Sequence, residues 1–496
     1  MRDDLQNLVD RLAAYSAAGV LFDWDTSAGD APEEAADYTA KLVGILAGES
    51  FALCTSDETV KLLKDCLEHP SDDEVETAIV KRLWEDYEKI CHIPKEEYIA
   101  YQELVSKGMN RWERAKDEKD FSLFSPVLKE LVEMSKKING YRPRKEGLTL
   151  YDMMLDEYEK GFTTKELDRF FGELKDELLP IVKKVSEKQD IVRTDFLTRN
   201  CSIDEQKHFN YVLAEYLGFD HTRGVIAESA HPFTTSLHNR DVRITTHYYE
   251  DMITSAIFST IHETGHAIFE QNNSDRITMT PLAGGSCAVH ESQSRMFENM
   301  IGRSEAFWEP VYPKFQEIFE EQFGDVTLEE FVRAVNAAKP SLIRTESDEL
   351  TYCFHIMIRY ELERELFDGD ISVDDLPKLW NQKYREYLGV VPENDAEGVL
   401  QDVHWSGGMF GYFPSYALGN AIAAQIYHSM EKKVDIDKAL RSGDLEAILA
   451  YLREHIHQYG AMRETKRLLL DATGEEFNPS YYIQYLKDKY IKLYEL

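Results

Sequence analysis

The sequence predicts a mostly α-helical protein with one small β-hairpin. Apolar residues recur at helical spacing through most of the chain, and a single segment near residue 240 is rich in β-branched residues. Hydrophobic residues make up 43% of the 496 residues, which is typical of a globular chain. A disordered chain with this net charge of −35 would lack so many core-forming residues.

Helices are expected through the first 200 residues and again from about Leu328 onward. The clearest amphipathic runs contain Val127, Leu128, Leu131, Val132 and Met134, and then Phe170, Phe171, Leu174 and Leu178. Turn signals separate the helices, for example His69-Pro70, Ser125-Pro126, Gly140 and Gly147. At roughly 150 residues per domain the length suggests about three domains. Because no linker rich in Pro, Gly and Ser interrupts the chain, we expect one continuous architecture instead.

The predicted hairpin lies within residues 231–249. His231-Pro232-Phe233 leads into residues 234–237, and residues 242–246 form a second β-branched run. Between them stands Asn239-Arg240, whose composition is typical of a turn. We therefore expect two antiparallel strands here.

Charge and chain composition exclude several classes of protein. The 91 acidic residues outnumber the 56 basic ones, which argues against nucleic acid and anionic membranes as partners. The N-terminus lacks a secretion signal, and no apolar run approaches the roughly 18 residues that span a bilayer. Six cysteines stand at scattered positions without a CxxC pair, which favours reduced thiols over three disulfides. We expect a soluble protein of a reducing compartment.

The strongest chemical motif is His262-Glu263-Thr264-Gly265-His266. Apolar residues in the surrounding stretch, residues 248–271, recur at spacings of four and seven and predict a helix. Residues i and i+4 share a helix face, so both imidazoles can bind one metal ion, and Glu263 lies beside the ion where it can accept a proton from water. Gly265 costs about 1 kcal/mol of helix stability relative to Ala, which close packing or substrate access would explain.

A third metal ligand is expected on a second helix, residues 288–300. The loop before it contains Pro281 and a Gly-Gly pair, so the two helices can run antiparallel and the second can cross the first. Glu291 is the favoured ligand by position. Glu298, two turns further along the same face, is the alternative ligand, or it orients a metal-bound histidine.

Six motifs follow one another between residues 231 and 405. They are His231-Pro232-Phe233, Asp241-x-Arg243-x-Thr245, His262-Glu263-x-x-His266, His290-Glu291-Ser292-Gln293-Ser294-Arg295, Ile343-Arg344-x-x-Ser347-Asp348 and Gly398-x-x-Gln401-Asp402-x-His404-Trp405. Together and in this order they resemble the signatures of the carboxypeptidase Taq family of metallocarboxypeptidases. Two departures stand out: Ser347 replaces the family's usual alanine, and residues 26–32, after Trp24-Asp25, depart from its Met-Pro-Gly sequence.

The resemblance implies a mostly α, two-lobed helical fold of the neurolysin-like gluzincin type, similar also to angiotensin-converting enzyme. A deep groove would pass over the metal, with the small β-hairpin or sheet at the active site. Residues 1–496 would form one catalytic domain, with an N-terminal helical region over about 1–200 and a metal-binding catalytic region over about 201–496. Members are typically cytoplasmic homodimers that use zinc, or sometimes cobalt, to release C-terminal residues from peptides with broad specificity.

Peptide hydrolysis also requires stabilisation of the oxyanion. The candidates are His404, which the resemblance supports, and the tyrosines of the loop formed by residues 406–416, Tyr412 and Tyr416. Glycines in that loop are expected to let it approach a substrate. The alternative for either tyrosine is a packed aromatic ring whose hydroxyl is hydrogen-bonded within the protein.

A carboxypeptidase must bind the free C-terminal carboxylate, for which a guanidinium is well suited. Arg344 is the first candidate. Arg243 is the second, on a strand expected to form the groove edge, and His231 belongs to the same set through the resemblance. The alternative for Arg344 is a structural ion pair with Glu346, Asp348 or Glu349.

Two further residues of the second metal helix have simpler interpretations. His290 is a possible metal ligand by residue type, as is His231, but three protein ligands already complete the pattern. Arg295 is expected to tie the two metal helices together.

Competing functions are an oligoendopeptidase or dipeptidyl carboxypeptidase on a similar fold, and a non-catalytic peptide-binding or scaffold protein with a structural metal. The intact Glu263 argues against the last.

Overall fold

The computed structural model describes residues 1–29, 31–143 and 146–496. Over these residues the chain is mostly α-helical with one three-stranded sheet, which confirms the predicted class. No helix in these ranges is long and apolar enough to cross a bilayer. All six cysteines are free.

Nine α-helices precede the sheet in the described residues. They are α1 (Asp3–Ala28), α2 (Ala36–Cys54), α3 (Asp57–Glu68), α4 (Glu74–Ile90), α5 (Lys95–Glu118), α6 (Ser125–Gly140), α7 (Leu150–Tyr158), α8 (Thr164–Ser186) and α9 (Ile203–Leu217). The two amphipathic runs predicted from the sequence are α6 and α8, and each buries its apolar face.

The sheet is formed by β1 (Gly224–Glu228), β2 (Thr234–His238) and β3 (Asp241–Thr246). Strands β2 and β3 are antiparallel, so the predicted hairpin is confirmed, with an irregularity in register near His238. The sequence did not predict β1, which pairs with β3 in parallel. The strand order is therefore β1-β3-β2, so the strand of Arg243 is the central strand of the sheet. Strand β3 is paired on both sides, whereas β2 has a free edge.

Helices resume after the sheet. They are α10 (Ile253–Gln271), α11 (Cys287–Arg295), α12 (Glu305–Ile318), α13 (Glu320–Phe323), α14 (Leu328–Val335), α15 (Glu349–Asp368), α16 (Leu376–Tyr387), α17 (Pro414–Glu431), α18 (Ile436–Ser442), α19 (Glu446–His455), α20 (Thr465–Thr473) and α21 (Ser480–Tyr494). The continuous helix expected over residues 288–300 changes at Met296, where a π-helical turn (Met296–Ile301) continues α11. Such turns are often found at functional sites.

Two apolar clusters hold the fold together. The larger includes buried residues from Ala115 to Tyr494 and draws on α6, α8, α10, α15, α17 and α21. The smaller joins the N-terminal helices α1, α3 and α4, and meets the loop between α10 and α11 through Ile277 and Leu282. The division of the chain near residue 200 stays a prediction, because α6 and α8 share the larger cluster with the helices that follow the sheet.

Two glycines let α11 approach its neighbours closely. A Cβ atom on Gly265 of α10 would lie 2.8 Å from both the Gln293 carbonyl oxygen and Ser294 Cα. A Cβ atom on Gly419 of α17 would lie 2.7 Å from Glu291 Cγ. Of the two explanations that the sequence offers for Gly265, the structure therefore supports close packing.

The start of α11 is held by a buried carboxyl group from the end of α7. Glu159 is 3% exposed and accepts hydrogen bonds from the backbone N–H of Ala288 and, at 3.1 Å, from the Thr465 hydroxyl. Burial raises the pKa of Glu159 from 4.5 to about 7, and the hydrogen bonds it accepts oppose this rise. Its proton is therefore released at a higher pH in the folded protein than in the unfolded chain.

This difference predicts how Glu159 links stability to pH. Between pH 4.5 and 7 the unfolded chain loses this proton while the folded protein keeps it, so the stabilisation is full below pH 4.5 and is lost as pH rises through 7. The loss amounts to about 1.4 kcal/mol per pH unit, or roughly 3 kcal/mol in all. Denaturant unfolding at pH 5, 6, 7 and 8 should show the stability of wild type falling relative to Glu159→Gln. If the free energies of unfolding of wild type and Glu159→Gln changed in parallel with pH, the raised pKa of Glu159 would be contradicted.

Candidate metal centre and active site

Two histidines and a glutamate converge where α10 meets α11. His262 and His266 lie one turn apart on α10, and their Nε2 atoms are 3.6 and 3.4 Å from Glu291 Oε2 on α11. One ligand atom from each residue lies within 4.8 Å of the others. Two imidazole nitrogens and a carboxylate oxygen are a typical ligand set for a zinc ion that keeps an open position. These residues could therefore hold a metal ion.

Glu298 orients His262. Its Oε2 atom lies 2.8 Å from His262 Nδ1, so a ring that donates its Nδ1–H to Glu298 keeps the Nε2 lone pair for a metal ion. Burial opposes ionisation of Glu298, but Arg295 and His262 hold the pKa of its carboxyl well below the usual range. The orienting role that the sequence left open for Glu298 fits this geometry, and the π-helical turn places the side chain there.

A second chain of contacts supports His266. Its Nδ1 atom lies 2.5 Å from Nδ1 of His290, whose Nε2 lies 2.8 Å from Glu270 Oε1. Burial, with the neighbouring His290, lowers the pKa of His266 to about 3, so the ring is neutral as a metal ligand must be. The sequence suggested His290 only as an alternative ligand. Its contact with His266 depends on the antiparallel packing of α10 and α11.

Arg295 holds two carboxylates in place. Its Nε atom donates to Glu291 Oε1 at 2.7 Å, and its Nη1 donates to Glu298 Oε2 at 3.1 Å. Both partners lie within one turn on the same segment, so Arg295 does not join the two metal helices directly as expected. It fixes one oxygen of Glu291 and leaves the other facing the histidines.

Glu263 lies beside the ligands and is tied to the edge strand. It is 6% exposed, and the Thr234 hydroxyl at the start of β2 donates to its Oε2 at 2.5 Å. Burial raises the pKa of Glu263, and His262 and Thr234 oppose this rise. Thr234 is not among the site residues predicted from the sequence, where its only signal is its position directly after His231-Pro232-Phe233.

The predicted oxyanion residues gather into one cluster. His404 Nε2 lies 3.3 Å from the Tyr416 hydroxyl, and the ring of Tyr412 lies 5.2 Å from that of Tyr416. Tyr416 lies on α17 three residues before Gly419, the position that meets the Glu291 side chain, so the cluster lies near the possible metal ligands. Burial lowers the pKa of His404 to about 4, with Asp402 opposing this, so its ring is neutral at pH 7.

Two glycines of the loop pack closely against the N-terminal helices. Gly408 has φ 71°, and a Cβ atom there would lie 2.3 Å from the Tyr101 hydroxyl of α5. Gly411 has φ 87°, and its Cβ atom would lie 3.0 Å from the backbone of Met154 in α7. Close packing therefore requires glycine at these two positions, and approach of the loop to a substrate stays a prediction.

Arg344 is buried and paired with a distant acid. Its Nε and Nη2 donate to Asp402 Oδ1 at 3.0 and 2.8 Å, and its Nη1 donates to the Tyr352 hydroxyl at 3.1 Å. Arg359 donates to the other oxygen of Asp402 at 2.7 Å. The local partners suggested by the sequence are therefore replaced by Asp402. Two guanidiniums share one carboxylate, which leaves one positive charge beside Tyr416, whose ring lies 4.8 Å from the Arg344 guanidinium.

The other two predicted substrate-binding residues belong to the sheet region. Arg243 makes a bidentate ion pair with Asp241 at 2.8 and 2.9 Å, and its guanidinium lies 5.5 Å from the Trp24 ring of α1. His231 is exposed in the connection between β1 and β2, where its carbonyl accepts from the Ser229 hydroxyl. The contact of Arg243 with Trp24 connects the sheet to α1, and the structure does not include either Arg243 or His231 in the cluster around His404.

Comparison with known proteins connects this geometry to a family. The family model of the carboxypeptidase Taq (M32) metallopeptidases matches residues 4–490. The chain belongs to this family. Carboxypeptidase 1 of Bacillus subtilis is 44% identical over 493 residues, which cover 99% of this chain and 98% of that protein. Thermostable carboxypeptidase 1 of Thermus thermophilus is 37% identical over 507 residues, with the same coverage.

Solved structures give the same result for the fold. The crystal structure of the M32 carboxypeptidase from Deinococcus radiodurans superposes with a TM-score of 0.95 at 35% identity, covering 99% of each chain. This confirms the two-lobed metallopeptidase fold implied by the resemblance. The protein is a metallopeptidase hydrolase of the carboxypeptidase type, and its family implies a bound metal ion.

The geometry predicts different roles for two nearby carboxylates. Glu291→Ala removes a ligand atom and should abolish stoichiometric binding of zinc added to the chelator-treated protein. Glu298→Ala removes only the partner of His262 Nδ1 and should weaken metal affinity about 10- to 100-fold. Competition titration with a chromophoric chelator measures both affinities. If Glu298→Ala lost the metal completely while Glu291→Ala retained it, the assignment would be reversed.

Proposed function

We propose that the protein is a zinc-dependent carboxypeptidase that releases C-terminal amino acids from peptides with broad specificity, assisted by Glu263. The observation that carries this proposal is the convergence of His262, His266 and Glu291 with Glu263 held beside them. The nitrogen and oxygen ligands suit zinc, and cobalt, which accepts similar ligands, is the alternative ion.

Glu263 is the proposed general base. A bound divalent ion supplies a Lewis acid that polarises the peptide carbonyl and lowers the pKa of a coordinated water. Glu263 accepts the proton of the attacking water and later delivers it to the leaving amine. Since the Thr234 hydroxyl occupies its Oε2, its Oε1 is available for that proton. A buried position excludes bulk water from competing for the transfer.

Tyr412, Tyr416 and His404 are the proposed oxyanion donors. Burial raises the pKa of both tyrosines well above the ordinary value, so their hydroxyls keep their protons and remain donors at neutral pH. The neutral imidazole of His404 contacts Tyr416 and fixes the direction of its hydroxyl. Hydrogen-bond donors held in place before the reaction stabilise developing negative charge without reorganisation.

Arg344 is the proposed partner of the substrate's C-terminal carboxylate. Its pairing with Asp402 and Tyr352 uses one hydrogen on each terminal nitrogen, and each nitrogen keeps a second N–H. Because Arg359 shares Asp402, the group retains a positive charge that attracts a carboxylate. Arg243 and His231 are the second candidates, further along the groove beside α1.

The proposed substrate class is supported by the composition and by the relatives. A chain with net charge −35 suits peptide substrates rather than nucleic acid or anionic membranes. The curated relatives of Bacillus subtilis and Thermus thermophilus are named carboxypeptidases. A cytoplasmic homodimer is the proposed state, and light scattering of the purified protein measures its mass directly.

Carboxylate recognition predicts a sharp difference between two forms of one peptide. A mixed-sequence peptide with a free C-terminus should shorten one residue at a time in mass spectra. Its C-terminally amidated form should react about 100-fold more slowly, because it lacks the charge-assisted hydrogen bonds with Arg344. Arg344→Ala should remove most of this difference. Arg240→Ala, an exposed arginine of the same chain paired with Asp275, is the matched control and should preserve it.

The same experiment separates the competing functions. Equal cleavage of both peptides would favour an oligoendopeptidase and contradict the role of Arg344, and release of dipeptides would indicate a dipeptidyl carboxypeptidase.

Glu263→Gln should bind the metal normally and lose activity, which assigns the cleavage to this site. Full activity in that variant would contradict the proposed base.

A further inference from the structure

A fully buried carboxyl group lies behind the loop that carries the proposed oxyanion donors. Glu363 of α15 has no exposed surface. Its Oε1 accepts from the Trp405 indole N–H at 2.6 Å, and its Oε2 accepts from the Gly411 backbone N–H at 2.8 Å and the Tyr151 hydroxyl at 2.7 Å. Three donors from two parts of the chain, α7 and the segment of residues 405–411, therefore meet on one side chain.

Two of these donors, Trp405 and Gly411, lie at the two ends of a short segment, residues 405–411. Trp405 follows His404 directly, and Gly411 directly precedes Tyr412. We propose that Glu363 is a positioning residue for catalysis, which fixes His404 and Tyr412 relative to each other by holding both ends of the loop between them. The inference rests on the proposed function, because it assumes that these two residues face the reacting carbonyl.

The chemistry of the site explains why a carboxyl group is required. The indole N–H and the backbone N–H cannot rotate, so each needs an acceptor oxygen in a fixed place. A glutamine offers only one oxygen. Whichever way its amide is turned, the NH₂ group meets either the Trp405 N–H or the Gly411 N–H, and one buried donor is left without an acceptor.

Protonation does not have the same effect. Burial raises the pKa of Glu363 to about 7, with the hydrogen bonds from Tyr151, Gly411 and Trp405 opposing the rise. In the neutral acid the added proton is donated to the Tyr151 oxygen, because that hydroxyl can turn and accept. Both carboxyl oxygens still face the fixed N–H groups. Glutamine is uncharged like the protonated acid, so at pH 6, below the pKa of Glu363, the Glu363→Gln substitution changes mainly the hydrogen-bond pattern and not the charge.

The loop has little freedom elsewhere, so the anchor acts on a short segment. Gly408 and Gly411 lie against α5 and α7 at distances that leave no room for a side chain. The Phe413 ring packs against Arg359 at 5.4 Å. Loss of the Gly411 bond therefore shifts the backbone directly before Tyr412 while the remainder of the loop stays packed.

Hydrogen exchange read by mass spectrometry tests the anchor without any catalytic turnover. In Glu363→Gln the peptide covering residues 405–413 should exchange at least tenfold faster than in wild type, and the peptide covering α10 should exchange unchanged. Tyr151→Phe is the matched control, because it removes the one donor that does not belong to the loop. It should leave exchange in residues 405–413 within twofold of wild type. Unchanged exchange in Glu363→Gln would overturn the proposal.

Kinetics on the metal-loaded protein tests the consequence. Glu363→Gln should lower kcat at least tenfold with KM within threefold and metal content unchanged, since the donors act in the transition state. Tyr151→Phe should keep kcat within twofold. Faster exchange with an unchanged kcat would overturn the positioning role, because the anchor would then serve only the fold. Inactive wild type would instead contradict the proposed function, and the exchange result would still be interpretable.

A second variant covers a failure of Glu363→Gln to fold. Trp405→Phe removes one donor and leaves the carboxyl group in place. Exchange in residues 405–413 should again be faster than in wild type and kcat should again be lower, but both changes should be smaller than in Glu363→Gln. A Trp405→Phe protein identical to wild type in both measurements would overturn the proposal.

Discussion

The metal centre depends on the close approach of α11 to α10 and α17, which is possible because Gly265 and Gly419 carry no side chain. At Gly265 the backbone of α11 lies where a Cβ atom would stand, and at Gly419 the side chain of Glu291 itself fills that space. The three helices are therefore close enough for a short glutamate on α11 to reach two histidines on α10. A methyl group at either glycine would push Glu291 away from Nε2 of His262 and His266.

Once the helices are this close, the charges between them must be balanced. Glu291 and Glu298 are both buried, and Arg295 donates to both. Further along the groove, Asp402 lies between Arg344 and Arg359. Removing one partner from such a buried group leaves an uncompensated charge, which costs roughly 3–5 kcal/mol. The same pairs hold the side chains in the orientations on which the proposed chemistry depends. An overall charge of −35 thus coexists with a local positive excess at Arg344 and Arg359, which share the one carboxylate of Asp402.

Local patterns in the sequence predicted the parts of this structure that depend on local interactions. The helical spacing of apolar residues predicted α6, α8 and α10, although α10 begins at Ile253, later than expected. The spacing of His262 and His266 on a helix predicted their convergence. The β-branched runs on either side of Asn239 predicted the hairpin. In each case neighbouring residues determine the outcome, because the period of the backbone decides which side chains share a face.

Features that depend on distant residues were missed or misplaced. Strand β1 pairs with β3 in parallel, and no turn signal marks such a pairing. Arg344 pairs with Asp402, 58 residues away, rather than with the acids beside it. The sequence predicted a continuous helix where a π-helical turn carries Glu298, whose side chain contacts His262. The sequence also identified the loop glycines but not their neighbours, which lie on α5 and α7.

Anomalous diffraction from crystals soaked in a zinc salt, with data collected on both sides of the zinc absorption edge, would locate the metal ion relative to the three helices. We expect one strong peak at ligand distance, about 2.0–2.2 Å, from His262 Nε2, His266 Nε2 and one oxygen of Glu291. A peak bound instead by Glu298, or one between His290 and Glu270, would contradict the claim that the approach of the three helices builds the metal site.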